Sequence, residues 1–384
     1  MMKIEKITLT RIAIPFDSGR EKYADAHQDY NAASPALSKM ESLLVCIETD
    51  DGLTGWGEAF GHLINPVTFC ALEQSVGPFF LGKTLSTRAD LDALMTSADY
   101  AFHGFGRTGP VRYALSAIDI ALWDLLSRKA EQPLWRYLGA KRPVIRVYPS
   151  LVSYGNEPAR VAEKAREVWQ QGYDAIKLHE TALPAIAAVR RALPADVSLM
   201  VDVNCPWSVE EACQQADALR ELNLTWLEEP VWPPDDYAGL ATVRRHGVPL
   251  SAGENAAGDA DFARLVSTGA VDILQPSVCK VGGISGMLRV FALGREHAVT
   301  VIPHCFYYGA GLLATAHLIS LLPENVRLEV PWVQWTPLLH PFLNIQPEMT
   351  LPDSPGLGFE PNPEVLADFT IASATCIFNG GSHA

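Results

Sequence analysis

Short runs of β-branched and apolar residues recur along the chain from about residue 145, and segments with helical periodicity separate them. The runs are 145–151, 175–180, 199–204, 225–230, 249–254, 272–278, 300–305 and 326–332. Strands that alternate with helices lie parallel in one sheet, and eight such units close into a barrel. The pattern therefore predicts an α/β fold with a (β/α)8 TIM-type barrel over residues 141–340.

Two of the separating segments carry clear helical signals. Ser208 and Glu211 have the spacing of a capping box, in which each side chain binds the backbone amide of the other residue. The apolar residues that follow recur every three or four positions, as on one face of a helix. They are Val209, Ala212, Cys213, Ala216 and Leu219. Residues 284–298 repeat this pattern.

The first 140 residues lack this alternation and predict a separate α+β domain. Residues 50–52 read as the turn of a β-hairpin, and residues 109–130 as a long amphipathic helix. The inward face of that helix would carry Val111, Leu115, Ile118, Leu122 and Leu125. A Pro- and Gly-rich segment follows the barrel, and we expect it to return to the first domain. The predicted division is thus 1–140, 141–340 and 341–384.

Polar residues end seven of the barrel runs, roughly 25 residues apart, which is about one strand–helix unit. They are Lys177, Asp202, Glu228, Glu254, Ser277, His304 and Glu329. The carboxyl ends of parallel barrel strands form one mouth, where TIM-barrel enzymes carry their chemistry. Alternation within a strand also places His179 on the face of Lys177, and Asn204 on that of Asp202. We therefore expect a site at this mouth.

Three carboxylates on consecutive strands, Asp202, Glu228 and Glu254, are expected to converge there. Any one of them alone reads as an exposed strand-end acid, but three at equal depth favour a metal site. A hard, all-oxygen, trianionic ligand set suits Mg²⁺, with Mn²⁺ as an alternative, and disfavours zinc. The side chain of Glu229 alternates to the other face of the strand from that of Glu228. We therefore expect it to support a neighbouring side chain or to pair with a lysine.

Composition narrows the class of protein. The net charge of −14 argues against nucleic acid or an anionic membrane as a partner. Seven scattered cysteines without a CxxC pair indicate reduced thiols, which predicts a cytoplasmic protein. The N-terminus has no signal-peptide pattern. The most apolar stretch, 307–323, is short for a membrane span and contains His317, so it predicts a buried helix.

The motifs together resemble the mandelate racemase and muconate-lactonising branch of the enolase superfamily, over essentially the whole chain. They are AIDIALWDLL (117–126), DVN (202–204), EEP (228–230), GEN (253–255), KVGG (280–283) and VIPH (301–304). The resemblance implies an N-terminal capping domain completed by the C-terminal tail. It also implies Mg²⁺-assisted removal of the proton α to a carboxylate, giving a metal-stabilised enediolate. We expect a small carboxylate substrate and a homo-oligomer.

The resemblance also implies roles for individual side chains. Lys177 and Lys280 would supply positive charge, and Glu329 a proton to the substrate carboxylate. Asn204, Lys280 and Ser277 are expected to contact the substrate. Gly282 lies in no strand–GxxxxGK–helix context, so a phosphate loop is disfavoured.

Two positions depart from the family pattern. Many members have Lys-x-Lys on the second barrel strand, with the second lysine as a base, whereas this chain has Lys177-Leu178-His179. We expect His179 to be neutral near Lys177 and the metal, and to act as the base. Ser277 stands where the family often has an aspartate paired with the seventh-strand histidine, so His304 would be a weaker base and still a competent acid.

These features predict dehydration of an acid sugar. A racemase or epimerase, or a cycloisomerase, remains an alternative because the family runs all three reactions from one enediolate. A metal-binding homologue without turnover is the alternative of another class, and an unrelated barrel aldolase or hydrolase is disfavoured by the capping domain. Substrate choice would come from the loops 17–34 and 61–66.

Overall fold

The computed structural model describes residues 1–19, 38–105 and 107–378, and begins with an α+β capping domain. Its strands are β1 (Met2–Asp17), β2 (Lys39–Thr49), β3 (Thr54–Ala59) and β4 (Thr84–Leu85). Its helices are α1 (Asn65–Ala71), α2 (Gly77–Phe80), α3 (Arg88–Ala101), α4 (Pro110–Lys129) and α5 (Leu134–Tyr137). β1, β2 and β3 form an antiparallel sheet, and the predicted hairpin turn at residues 50–52 is confirmed.

Helix α4 is buried on all sides over residues 114–127, so the amphipathic helix predicted from the sequence is only half right. The predicted inward residues from Leu115 onward are buried, but Val111 is only partly so. The opposite face packs on the barrel and buries Asp119, which accepts a hydrogen bond from the Ser285 amide at 3.0 Å. The helix therefore joins the two halves of the molecule.

Close approach of α4 to β3 requires a residue without a side chain. A Cβ atom on Gly57 would lie 1.9 Å from the carbonyl oxygen of Ala117, far inside van der Waals contact. This contact holds β3 against α4.

The barrel strands are parallel. They are β5 (Val144–Ser150), β6 (Ala175–Leu178), β7 (Ser198–Asp202), β8 (Trp226–Glu228), β9 (Leu250–Ala252), β10 (Ile273–Leu274), β11 (Thr300–Val301) and β12 (Leu328–Pro331). The ladder runs in order from β11 back to β5, and β12 pairs with β5. Between β11 and β12, the Cys305 amide donates to the Glu329 carboxylate at 2.9 Å. The predicted (β/α)8 fold is confirmed.

The strands are shorter than the apolar runs because their last residues leave the ladder. Asn204, Cys205 and Glu229 have left-handed backbone conformations just beyond β7 and β8, with φ of 53°, 58° and 46°. Such conformations are uncommon for residues other than glycine and cluster at functional sites. The polar ends of the runs thus turn into the barrel mouth.

Helices cover the outside of the barrel. They are α6 (Pro158–Gln170), α7 (Leu183–Ala192), α8 (Val209–Leu219), α9 (Tyr237–Arg244), α10 (Gly258–Ser267), α11 (Gly283–Glu296) and α12 (Ala310–Ile319). The capping box of Ser208 and Glu211 at α8 is confirmed, with the Ser208 amide donating to Glu211 at 2.9 Å. Of the predicted stripe, Val209 and Cys213 are only partly buried.

α12 is entirely buried, as predicted for the stretch around His317. Within the described ranges, no helix is both long enough and apolar enough to cross a membrane.

The C-terminal segment returns to the first domain, as predicted. Its elements are β14 (Glu348–Thr350), α13 (Pro363–Phe369) and β15 (Thr370–Ile377), and β13 (Gln334–Trp335) lies just before it. β13 and β15 pair antiparallel with β1, whereas β14 pairs with β5 of the barrel. The segment therefore contacts both halves, and the domain boundaries at residues 140 and 340 remain a prediction.

Candidate active site

The mouth of the barrel brings the three predicted carboxylates together. Asp202 and Glu228 end neighbouring strands and face each other in the ladder, and Glu254 lies two residues beyond β9. One oxygen from each lies within 4.8 Å of the other two. The side chains of Asp202 and Glu228 are almost fully buried, and that of Glu254 is 15% exposed.

Burying three carboxylates at one point is unfavourable unless a cation compensates their charge. Burial and the nearby charge of Asp202 raise the pKa of Glu228 to about 7, which expresses that cost. The oxygen donors, their charge and their separation fit Mg²⁺ or Mn²⁺, which prefer carboxylate ligands. These three residues would hold the ion.

Lys177 lies beside this triad. Its Nζ atom is 3.2 Å from Asp202 Oδ2, 3.0 Å from Glu228 Oε1 and 2.6 Å from Glu329 Oε1. Although burial opposes a charged amine, these carboxylates raise its pKa well above the ordinary lysine value. The lysine thus neutralises charge among the carboxylates of the site, while the positive charge it was expected to supply to the reaction stays a prediction.

Glu329 is fixed from two sides. Its Oε1 pairs with Lys177, and its Oε2 accepts from the Cys305 amide at 2.9 Å. Burial opposes ionisation, but the charge of Lys177 lowers the pKa of Glu329 below its ordinary value. In this arrangement Glu329 is an ionised partner of Lys177. The proton-donor role expected for it requires that pairing to change, and it remains a prediction.

His179 faces the triad from the second strand. Its Nδ1 lies 2.5 Å from the Leu151 carbonyl oxygen, which can only accept, so Nδ1 carries a proton. Its Nε2 lies 3.4 Å from Asp202 Oδ2. Burial opposes the imidazolium, yet Asp202 raises the pKa of His179 above its ordinary value, and the expected neutral form at pH 7 stays a prediction. The expectation counted Lys177 and the metal but not this direct contact with Asp202; a cation bound by Asp202 would act in the opposite direction.

His304 approaches from the seventh strand, with its Nε2 2.9 Å from Glu254 Oε2. Its Nδ1 is buried and has no hydrogen-bond partner in the described part of the chain. Ser277 forms a backbone bridge with His304, but its hydroxyl is bonded to the Tyr307 hydroxyl. Among the described residues, His304 therefore lacks an acidic partner on Nδ1, as the sequence predicts.

The substrate contact predicted for Ser277 has no support in this geometry. Its side chain is fully buried, its hydroxyl is occupied by Tyr307, and it does not line the cavity formed by the described residues. The seventh-strand loop carries Tyr307 over Ser277, and this contact is not visible from the spacing of the strands.

A cavity of about 320 Å³ lies above the triad. Six predicted residues line it, namely His179, Asp202, Asn204, Glu254, Lys280 and His304. Others that the sequence reasoning missed complete it, including Phe60, His62, Tyr113, Trp232, Asn255 and Phe306. His62 lies in the loop 61–66 that was expected to affect substrate choice. Most of the other such loop, residues 20–34, lies outside the described residues.

His62 brings an imidazole from the capping domain into the cavity. Its backbone is left-handed, with a φ of 37°, and its ring stands edge-on to Phe60 with centroids 5.3 Å apart. Burial, helped by the charges of Lys280 and His304, lowers the pKa of His62 to about 4. His62 is thus neutral near pH 7 and can exchange hydrogen bonds with a hydroxyl group.

The carboxylate of Glu228 is also fixed by hydrogen bonds from two buried side chains. Trp226 Nε1 and Gln275 Nε2 each donate to its Oε2 at 2.9 Å, while its Oε1 pairs with Lys177. Both donors are buried in or beside the barrel interior. Their sequence signal is only that of core residues, so the sequence alone could not assign them this contact.

Replacing either donor should weaken metal binding. We expect Trp226→Phe and Gln275→Leu each to lower the affinity for Mn²⁺ by about 10- to 100-fold, the usual effect of removing a bond that orients a metal ligand. Calorimetric titration of metal-free protein measures this directly. Trp169→Phe, at a position 37% exposed on α6, is the matched control. Unchanged affinity in both variants would show that Glu228 needs no such support.

The chain matches two family models. Residues 23–139 match the mandelate racemase / muconate lactonizing enzyme N-terminal domain, and residues 160–365 match the enolase C-terminal domain-like family. The chain is 31% identical over 362 residues to D-galactarolactone cycloisomerase of Agrobacterium fabrum, covering 88% of this chain and 94% of the relative. It is also 31% identical over 372 residues to D-gluconate dehydratase of Thermoproteus tenax, covering 88% and 72%.

Solved structures agree with this relationship. A racemase from Streptomyces coelicolor A3(2), determined with bound magnesium, superposes with a TM-score of 0.81 at 27% identity, over 96% of this chain and all of that one. The enolase-type match alone covers more than half of the chain. The protein therefore belongs to the mandelate racemase and muconate-lactonizing branch of the enolase superfamily.

Proposed function

We propose that this protein is a Mg²⁺-dependent enzyme that removes the proton α to the carboxylate of an acid sugar and then expels the β-hydroxyl as water. The observation that carries this proposal is the meeting of two histidines with one carboxylate triad in one cavity. His179 lies 3.4 Å from Asp202, and His304 lies 2.9 Å from Glu254. An acid and a base can therefore reach one substrate from different strands.

When bound at the triad, the divalent ion supplies Lewis-acid stabilisation of the negative charge that forms on the substrate carboxylate. The α-proton of a carboxylate is very weakly acidic, so this charge needs nearby cations as well. Lys280 lines the cavity and can supply one. His179 is the proposed base, because the Leu151 carbonyl fixes its Nδ1 proton and leaves Nε2 to receive another.

His304 is the proposed acid that protonates the departing hydroxyl. Without an acidic partner on Nδ1, it is poorly supported as a base. Racemisation needs an effective base on each face of the α-carbon, so the missing aspartate favours elimination. This agrees with the dehydratase among the relatives.

Cycloisomerisation is a second candidate. It is favoured by the galactarolactone cycloisomerase relative and by the aromatic residues of the cavity. Phe60, Tyr113, Trp232 and Phe306 line the cavity and suit the apolar face of a ring. Expulsion of an oxygen that belongs to the substrate's own ring would use the same base and acid.

The proposal is tested with a library of sugar acids and their lactones, incubated with the protein and Mg²⁺ in D₂O and followed by NMR. Dehydration is the expected result, with loss of the α-proton signal and release of water. Isomerisation of a ring substrate would establish the second candidate. Ligand binding by calorimetry without any α-proton exchange would indicate a binding protein and overturn the proposal. A cytoplasmic location and a homo-oligomeric state stay predictions.

A further inference from the structure

Lys280 is held at the edge of the triad from three sides. Its Nζ lies 4.0 Å from the centroid of the Phe60 ring, 3.8 Å from Glu254 Oε1 and 3.5 Å from Asn255 Oδ1. The residue is 4% exposed. An ammonium over an aromatic face is attracted by the ring, and the attraction is strongest where water is excluded.

The orientation of Asn255 depends on Glu229. Asn255 Nδ2 donates to Glu229 Oε2 at 2.7 Å, so the amide oxygen turns toward Lys280. The Cys205 thiol lies 3.5 Å from the same Oε2, and the Cys205 amide donates to the Glu229 carbonyl at 2.7 Å. Glu229 is buried and has a left-handed backbone, and its side chain bonds to Asn255 at the rim of the same cavity. This gives the second glutamate of EEP a task distinct from that of Glu228.

Phe60 belongs to the capping domain, directly after β3. Its amide donates to the Cys279 carbonyl at 3.4 Å, next to Lys280 in the chain. Its ring stands edge-on to Tyr113 with centroids 5.1 Å apart. The capping domain thus reaches Lys280 of the barrel through the Phe60 ring.

We propose that Phe60 and the Glu229–Asn255 pair are positioning residues that hold the Lys280 ammonium facing the substrate carboxylate. A free lysine side chain samples many rotamers, and its immobilisation would otherwise oppose substrate binding. The two supports fix it beforehand, one from each domain. The role of Lys280 toward substrate rests on the proposed function, whereas its immobilisation does not.

Two pairs of variants test the supports. Phe60→Leu removes the aromatic face and Phe60→Tyr keeps it; Glu229→Met removes the acceptor for Asn255 and Glu229→Gln keeps one. In protein labelled with [ε-¹³C]lysine, the ring current of Phe60 should shift the Lys280 methylene upfield, and Lys280→Met assigns the signal. We expect Phe60→Leu to abolish the shift and Glu229→Met to reduce it, while Tyr and Gln retain it. Phe105→Leu and Glu210→Gln, both exposed, are controls.

A double-mutant cycle then tests whether the supports act through the lysine. With Lys280 present, Phe60→Leu and Glu229→Met should each raise KM about tenfold with a smaller change in kcat. In the Lys280→Met background each should change KM less than about twofold. The proposal would be overturned if each substitution raised KM as much in the Lys280→Met background as in the presence of Lys280. It would also be overturned if Phe60→Leu left the Lys280 NMR signal in place. If wild type turns over no acid, the proposed function fails, but the NMR comparison still decides the positioning.

Discussion

Glu254→Gln is expected to abolish turnover and to weaken Mg²⁺ binding by more than about 100-fold, since it removes a direct ligand rather than a group that orients one. The carboxylate is one of the three proposed anionic ligands, and an amide of the same shape would leave the ion under-neutralised. Glu254 also lies 2.9 Å from His304 Nε2 and 3.8 Å from Lys280 Nζ. The substitution therefore also removes the negative charge that pairs with both side chains. Calorimetric titration with Mg²⁺ and the rate of α-proton exchange measure the two effects.

The matched control is Glu210→Gln, on the exposed surface of α8, which should keep wild-type affinity and activity. Circular dichroism should show that both variants are folded. Wild-type protein stripped with EDTA should lose activity and regain it with Mg²⁺ or Mn²⁺. Full activity after exhaustive removal of metal would disprove the metal site.

The barrel and the triad were predictable because both follow from periodicity. Parallel strands bring their carboxyl ends to one edge, so polar residues one strand–helix unit apart must meet there. Asp202, Glu228 and Glu254 satisfy this rule, and the structure places their oxygens together. The same rule brought His179 and His304 to the cavity.

Contacts between the two halves were not predictable in this way. Phe60, His62 and Tyr113 come from the capping domain, where strand register in the barrel gives no information. Helix α4 was expected to have a polar face, but the barrel buries that face as well. Asp119 then accepts a hydrogen bond from the Ser285 amide, and the amphipathic pattern of the sequence does not predict this contact.

The alternation of side chains along a strand also fails to predict a residue's role where its polar group is hydrogen-bonded to a neighbouring side chain. Ser277 has the parity of a mouth residue, yet Tyr307 occupies its hydroxyl. Trp226 reads as an ordinary apolar strand residue, yet its indole N–H supports Glu228. Hydrogen bonds of this kind depend on side-chain directions that only the folded chain fixes.

The roles of the two histidines should be distinguishable when each histidine is replaced in turn. His304→Asn should still exchange the substrate α-proton with D₂O, while the rate of dehydration falls about 10²- to 10⁴-fold, the usual contribution of a general acid. His179→Asn should lose both exchange and dehydration. The Nε2 of His179 faces the triad, and no proton acceptor is expected to replace it, because the neighbouring Lys177 is paired with three carboxylates. NMR of substrate incubated with each variant in D₂O measures exchange and product in one experiment.

His246→Asn, at a histidine outside the cavity that pairs with Asp217, is the matched control and should behave as wild type. Exchange that survives in His179→Asn and disappears in His304→Asn would reverse the assignment of base and acid. Clean inversion at the α-carbon by the wild type would instead identify an epimerase. In that case His304 must accept a proton although its Nδ1 lacks an acidic partner, so Ser277→Asp, which offers that partner, should then raise the rate of inversion.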